Sequence, residues 1–143
     1  MLFEAFFWRP DQSRPSLQAF NKNPEFQKLS RDWGRTGDRA IIAEKDGQPV
    51  GAAWFRFWTD TEHSYGFVEQ AIPELGIGVL AEQRGRGVGR KLLRALLDQA
   101  RADGIPQISL SVEPDNLSLW LYKSEGFVKV GEYGNALTMV KKL

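Results

Sequence analysis

The chain has 143 residues, of which 42% are hydrophobic and 26% charged, and its formal net charge is +1. These values predict a single folded domain over residues 1–143 and exclude a strong overall attraction to nucleic acid or acidic membranes. The chain has no cysteine, which excludes disulfides, cysteine nucleophiles and thiolate metal sites and fits a reducing, cytoplasmic compartment.

The N-terminal segment predicts helices. Residues 2–8 are apolar around Glu4 and are followed by Arg9-Pro10, which is typical of a short amphipathic helix rather than of a signal peptide. A second helix is predicted from Pro24 to Trp33 by its apolar spacing. Because no apolar run reaches 18 residues, we expect no transmembrane helix.

From residue 39 the pattern changes to strands. Residues 40–45 and 50–58 predict a hairpin around the tight-turn pair Asp46-Gly47. Tyr65 to Ile72 is ambiguous and could extend the next strand. The remaining predicted elements are a strand over 75–80, a helix over 88–102, a strand over 108–112, a helix over 117–124 and strands over 127–132 and 137–142. This order indicates a mixed α/β domain.

A loop rich in glycine and arginine, residues 83–89, joins the strand over 75–80 to the long helix. N–H groups in the first turn of a helix lack partners within the helix, and glycines let an anion approach the backbone, so the loop predicts a phosphate site. The dinucleotide fingerprint fails because Arg90 stands where its third glycine is required. The NTPase loop fails because Lys91 is followed by Leu92.

Two signatures resemble the GNAT superfamily of N-acyltransferases. The pattern Arg84-x-x-Gly87-x-Gly89 is similar to the family's cofactor loop, [QR]-x-x-G-x-[GA]. Downstream, Asn116 opens a segment that ends in the family's L-Y-x-x-x-G-F pattern at residues 121–127. The loop pattern alone is weak, but the two occur in the family's order, and the resemblance covers roughly residues 39–143.

The resemblance implies a central mixed, mostly antiparallel sheet flanked by helices, with acetyl-CoA or another acyl-CoA as co-substrate and no metal. It implies that Val79 faces the pantetheine arm through its backbone. Asn116 would contact the cofactor, although an asparagine at this position also caps a helix. The backbone amides of Gly85, Arg86, Gly87, Val88, Gly89 and Arg90 would hold the pyrophosphate, and Arg84 is also expected to bind the cofactor.

The implied reaction is direct transfer of the acyl group to an amine acceptor. Tyr122, in the L-Y-x-x-x-G-F pattern, is the expected general acid for the leaving thiolate. Glu74 is the first candidate for the base that deprotonates the amine, and Glu69 is the second. His63, the only histidine, is interpreted as a surface residue in a polar loop.

Two rival functions stay open on the sequence. A non-catalytic acyl-CoA sensor or interaction module would keep the loop and Asn116 but leave Tyr122 and Glu74 idle. Nucleic-acid binding through the arginines of the loop and long helix is disfavoured, because helical geometry spreads them around the helix and the net charge is small. We expect neither nucleic acid nor membrane as a partner.

Two structural questions also stay open. The family's fold usually begins with a strand before its first helix, whereas this chain begins within that helix, so either the chain is a short variant or a partner supplies the sheet edge in a homodimer. On the predicted strand over 50–58, alternation places Trp54 and Trp58 on one face and Phe55 and Phe57 on the other. One face of the strand should belong to the core. The other face either packs against a helix or a second subunit or lines an acceptor pocket, and packing is favoured.

Overall fold

The computed structural model describes all residues from 1 to 143. Its helices are α1 (Leu2–Phe6), α2 (Leu17–Lys22), α3 (Pro24–Ser30), α4 (Val88–Ala102) and α5 (Ser118–Ser124). Its strands are β1 (Arg39–Lys45), β2 (Gln48–Arg56), β3 (Glu74–Val79), β4 (Gln107–Val112), β5 (Val128–Tyr133) and β6 (Ala136–Lys142). A 3₁₀ turn over Ala81–Gln83 separates β3 from the glycine-rich loop.

The six strands form one sheet in the order β1-β2-β3-β4-β6-β5. Every neighbouring pair is antiparallel except β3 and β4, which are parallel. The predicted mixed, mostly antiparallel sheet flanked by helices is therefore confirmed. The β1–β2 hairpin turns at Asp46 and Gly47, whose φ angles of 51° and 75° are those that a tight two-residue hairpin turn requires.

The parallel pair is joined at one end only. Glu74 pairs with Ser109, and the Ser109 N–H donates to the carbonyl of Pro73 at 2.9 Å. Beyond this point no residues of β3 and β4 are paired, although each strand remains fully paired with its antiparallel neighbour. The sheet therefore opens between Val79 and Val112, the carboxyl ends of the two strands.

Helix α4 covers one face of the sheet. Its buried residues recur at helical spacing and are Leu92, Leu93, Leu96, Leu97 and Ala100. They pack with the inward residues of the strands, including Phe55, Leu75 and Leu110, in one core. The predicted alternation along β2 is seen here, because Ala53 and Phe55 belong to this core while Trp54 faces the other side.

Helices α1 to α3 pack towards the opposite face, where glycines leave room for them. A Cβ at Gly78 would lie 2.2 Å from the Met1 carbonyl oxygen, and one at Gly76 would lie 2.6 Å from the Trp54 ring. The two glycines of β3 are therefore close-approach positions, where α1 and a tryptophan rest on the strand. Within residues 1–143 no strand precedes α1.

The N-terminal helices differ in extent from the predictions. The first ends at Phe6 rather than at residue 8, and the second ends at Ser30 rather than at Trp33. Helix α2 was not predicted, because it has only six residues, of which Phe20 alone is buried, and therefore shows no apolar repeat. Its N-cap is Ser16, whose hydroxyl accepts the Ala19 N–H.

A buried ion pair ties the segment after α3 to the sheet. The side chains of Arg56 and Asp38 are only 2% and 3% exposed, and Arg56 Nη2 lies 2.6 Å from Asp38 Oδ2. Arg56 Nη1 also donates to the Leu29 and Arg31 carbonyls. Burial acts to raise the pKa of Asp38, but its hydrogen bonds from Arg56, Gly34 and Arg35 outweigh burial and hold that pKa below its usual value.

Replacing Asp38 by alanine is expected to lower the free energy of unfolding by about 3–5 kcal/mol, because the Arg56 guanidinium would stay buried without its counter-charge. Urea denaturation of the purified protein measures the change. The matched control is Asp98→Ala, which breaks the exposed pair between Asp98 and Arg101 and should change stability little. Equal effects of the two substitutions would contradict the importance of the buried pair.

Candidate active site

A single cavity of about 1130 Å³ begins in the gap between β3 and β4 and continues across the sheet. The glycine-rich loop and the start of α5 line one end of it. Tyr122, Val79 and Glu74 line it along the strands, and aromatic side chains of α1, α3 and β2 line the other end. The opened sheet thus brings the two sequence signatures, distant in the chain, to one space.

The loop presents unpaired backbone donors. None of the N–H groups from Gly85 to Arg90 makes a hydrogen bond to another protein group, and the first such bond in α4 is from Lys91 to the Gly87 carbonyl. Gly85 and Gly87 have φ angles of 70° and 83°, and a Cβ on either would meet nothing within 4 Å. Unpaired donors at the N-terminus of a 15-residue helix favour an anion of the size of a phosphate.

Arg84 is directed away from that anion site. Its Nε donates to the Val79 carbonyl at 2.9 Å, and its Nη1 donates to the Trp8 carbonyl at 3.0 Å. Its Nη2 lies 3.0 Å from Glu4 Oε2. The Arg84 side chain therefore fastens α1 to the end of β3, and it also occupies the carbonyl of Val79, the residue expected to face the pantetheine arm.

The other predicted cofactor residues lie around the same end. Asn116 Oδ1 accepts the Ser118 N–H at 2.8 Å, which makes it a cap of α5, and the residue also lines the cavity. Arg90 lines the cavity and is paired with Glu125, which also binds Arg94 at 2.9 Å. Arg86 is exposed. The loop arginines thus have different surroundings, and two of them are held by carboxylates.

Tyr122 is buried in α5, with 7% of its surface exposed, and lines the cavity. Its ring packs edge-on against Phe127 at a centroid distance of 5.8 Å. Burial raises the pKa of the Tyr122 phenol to about 12. The phenol therefore stays protonated at neutral pH and can serve as a hydrogen-bond donor to a group in the cavity.

Glu74 stands at the pairing point of β3 and β4 and lines the same cavity. Its Oε1 accepts the Gly66 N–H at 2.9 Å, while its Oε2 is enclosed and has no hydrogen-bond partner. Burial raises the pKa of Glu74 to about 7, although the Gly66 N–H, Ser64 and the charge of Lys28 oppose the shift. A carboxylate that titrates near neutrality suits proton transfer.

Gly66, which sequence reasoning did not single out, positions this carboxylate. A Cβ at Gly66 would lie 2.6 Å from the Leu110 carbonyl carbon and 3.0 Å from Glu74 Oε1. Only glycine lets the loop press against β4 and direct its N–H at Glu74. One isolated glycine in the ambiguous segment from Tyr65 to Ile72 carries no spacing signal, so the sequence could not have revealed this role.

Of the remaining candidate residues, Glu69 and His63 lie outside the cavity, whereas the aromatic residues near β2 line it. Glu69 is exposed and does not line the cavity. His63 stacks on Phe67 at 4.4 Å, and its Nδ1 lies 2.9 Å from the Ser64 carbonyl oxygen, also outside the cavity. Trp54, Trp58 and Tyr65 do line the cavity, so the outer face of β2 contributes to a pocket wall as well as to packing.

An opened mixed sheet with an anion-binding loop at one end of the gap defines the acyltransferase class to which the sequence signatures point. The family model for the acetyltransferase (GNAT) family matches residues 4–127. The chain therefore belongs to the GNAT family.

Relatives and solved structures agree with this assignment. An L-methionine sulfoximine/L-methionine sulfone acetyltransferase of Pseudomonas aeruginosa is 31% identical over 93 residues, 64% of this chain and 51% of the relative. A ribosomal-protein-alanine N-acetyltransferase from Brucella melitensis is 31% identical, with a TM-score of 0.64 over 76% of this chain and 71% of that one. The chain spans about half the length of the first of these relatives.

The fold extends over the whole chain in a more distant structure. The PaiA N-acetyltransferase from Thermoplasma acidophilum, solved in complex with coenzyme A, has a TM-score of 0.73 and 17% identity and covers 99% of this chain and 88% of its own. The N-terminal helices therefore belong to the shared fold. None of the helices combines the length and apolarity needed to cross a membrane.

The stability effect of Glu74→Gln is expected to depend on pH. Because the pKa of Glu74 is about 7 in the folded protein and 4.5 ordinarily, folding favours the protonated form, and the stability present below pH 4.5 is lost as pH rises to about 7. Glutamine does not ionise, so the variant does not lose this stability. Its free energy of unfolding should exceed that of the wild type by up to about 3 kcal/mol at pH 8 and by little at pH 4.5.

Thermal unfolding of both proteins at the two pH values tests this expectation. The matched control, Glu69→Gln, changes an exposed carboxylate of the neighbouring loop and should leave the melting temperature unchanged at both. A pH-independent difference between wild type and Glu74→Gln would show that Glu74 is ionised in the folded protein without penalty.

Proposed function

We propose that the chain transfers an acetyl group from acetyl-CoA directly to a primary amine. The observation that carries this proposal is the row of unpaired N–H groups from Gly85 to Arg90, which opens into the same cavity as Tyr122 and Glu74. Family membership supports the reaction class. The relatives named above are an acetyltransferase of L-methionine sulfoximine and L-methionine sulfone and an N-acetyltransferase of a ribosomal protein alanine, and the second name supports a nitrogen acceptor.

The lining of the cavity supports one orientation of acetyl-CoA in this proposal. Its pyrophosphate suits the donors of the loop and the N-terminus of α4, and its pantetheine arm suits the gap where β3 and β4 leave backbone groups unpaired. Asn116, at the start of α5, lies beside this path. The thioester is then directed at the middle of the cavity, between Tyr122 and Glu74.

In the proposed reaction the Glu74 carboxylate takes a proton from the ammonium, and the free amine attacks the thioester carbon. The C–S bond breaks, and the nitrogen loses a second proton as the amide forms, while the sulfur gains one. Because the Tyr122 pKa of about 12 exceeds that of an ordinary thiol, about 8.5, the phenol stabilises the leaving sulfur mainly by a hydrogen bond. If the Tyr122 phenol does transfer its proton to the sulfur, the second proton released by the nitrogen returns the phenol to its protonated form.

Release of free thiol from acetyl-CoA, measured with and without a panel of primary amines, tests the proposal. Amine-dependent release is expected, and Tyr122→Phe should lower kcat about a hundredfold while leaving the Kd for CoA within about twofold. Unchanged turnover in this variant would remove Tyr122 from the mechanism. Binding of acetyl-CoA without release for any amine would favour the alternative, a non-catalytic sensor.

The loop is tested by Gly87→Ala, which places a methyl group in the open space that the unpaired donors face. We expect the Kd for CoA to rise at least tenfold. The matched control is Gly104→Ala at the far end of α4, where φ is 75° and the space is equally open. Both variants should lose a similar amount of stability, about 1–2 kcal/mol, but only Gly87→Ala should lose affinity in calorimetric titration. Equal affinities in the two variants would contradict the site.

A further inference from the structure

Aromatic side chains form a continuous surface at the end of the cavity away from the glycine-rich loop. Phe26 and Phe6 lie 5.1 Å apart, Phe6 and Tyr65 6.0 Å, and Tyr65 and Tyr133 6.2 Å, measured between ring centroids. Trp54 and Trp58 of the β2 side face the same space. These six residues are called the aromatic wall below.

The aromatic wall borders directly on Glu74. Tyr65 precedes Gly66, whose N–H is bonded to Glu74 Oε1 at 2.9 Å. The Glu74 carboxylate, whose Oε2 is enclosed and has no hydrogen-bond partner, therefore lies next to the aromatic wall in the cavity lining. The other carboxylates that line the cavity have arginine partners, since Glu4 pairs with Arg84 and Arg14, and Glu113 pairs with Arg9.

No cation of the cavity lining is free to bind an acceptor carboxylate. Arg56 is paired with Asp38, Arg84 with Glu4 and Arg90 with Glu125. Lys28, which lies 5.5 Å from the Tyr65 ring centroid, is paired with Glu25 at 3.0 Å. The acceptor end thus combines aromatic surface with one carboxyl group, that of Glu74, which has no direct ion-pair partner although the charge of Lys28 acts on it.

We propose that the acceptor is a small primary amine with an aromatic body and no carboxylate next to the amine, an inference that rests on the proposed function. Its ammonium is attracted by Glu74 and by the faces of the aromatic rings, and its apolar body is buried against the aromatic wall. A free amino acid is disfavoured, because its carboxylate would enter a site that offers it no cation and would be repelled by Glu74. A polyamine is disfavoured because its further charges would find no further carboxylates.

Four acceptors that differ by one feature each test this inference. Phenethylamine is compared with L-phenylalanine for the carboxylate, with L-phenylalaninamide for a peptide-like substituent and with ethylamine for the ring. The value of kcat/KM is measured at one pH and expressed per concentration of the protonated amine, because the ammonium is the form that Glu74 is proposed to bind. Phenethylamine is expected to exceed both L-phenylalanine and ethylamine by at least about tenfold, because like charges a few ångströms apart repel strongly at the low effective dielectric of a cleft.

Variants assign the preference to the residues named. In Glu74→Gln all rates should fall, but the ratio of phenethylamine to L-phenylalanine should also fall by at least about fivefold, as the repulsion is removed. Tyr65→Leu should reduce the ratio of phenethylamine to ethylamine and leave the Kd for acetyl-CoA unchanged. The control Phe67→Leu, which alters an aromatic residue outside the cavity, should leave that ratio as in the wild type.

The outcomes separate this inference from the proposed function. If the protein binds acetyl-CoA but kcat/KM for L-phenylalanine equals or exceeds that for phenethylamine, the proposed acceptor class is wrong. The same holds if kcat/KM for ethylamine equals that for phenethylamine. In both cases acetyl transfer itself is still supported. A preference for L-phenylalaninamide over phenethylamine overturns it in favour of peptide N-termini. Binding of acetyl-CoA with no transfer to any of the four amines also overturns it, whereas failure to bind acetyl-CoA overturns the proposed function itself.

Discussion

The single pairing point between β3 and β4 is the constraint on which the rest of the site depends. Glu74 and Ser109 hold the two halves of the sheet together, and beyond them the strands have no hydrogen bonds to each other. Each half is kept rigid by its own antiparallel ladder. Unpaired backbone groups cost free energy, and the paired edges of each half stabilise the sheet against this cost. The unpaired groups of β3 and β4 therefore remain available to a ligand that carries amide groups.

The same opening explains why the N-terminal helices matter for the site. They close the side of the gap that α4 and α5 leave uncovered, and they are held there by specific polar contacts. Arg84 connects α1 to the end of β3, and Arg56 with Asp38 connects the segment after α3 to the end of β2. Both arginines belong to the sheet or its loop, so the position of the acceptor end is tied to that of the cofactor end.

Glu74 and Tyr122, two ionisable groups of the cavity, show how one shift of the pKa can have two different consequences. Burial raises the pKa of both, to about 7 for Glu74 and about 12 for Tyr122. For the carboxylic acid the shift brings titration into the neutral range, where a proton can be taken and returned. For the phenol it moves titration further from neutrality and preserves the donor. A carboxylate at the pairing point and a phenol on α5 are thus suited to complementary tasks in one low-dielectric space.

The sequence by itself determined the order of strands and helices from residue 39 and the family, and it predicted an anion site in the loop at 83–89. These features are local: alternation in a strand, a two-residue turn and a strand–turn–helix junction depend on neighbours within a few residues. It also identified Glu74 and Tyr122 as candidates, although their roles remain predictions. Helix α2 and the ends of α1 and α3 were missed or misplaced, because short helices with at most one buried residue carry no clear periodic signal.

Only the tertiary structure decided what surrounds those residues. Arg84 binds α1, and Gly66 supports Glu74. Aromatic residues of α1, α3, a loop and β5 form one wall. These arrangements depend on contacts between segments up to 80 residues apart. Such contacts are set by how elements pack, and packing responds to shape and burial over the whole domain rather than to spacing along the chain. For the same reason the pKa of Glu74 could not be predicted from the sequence, because it is raised by burial, which the tertiary structure sets.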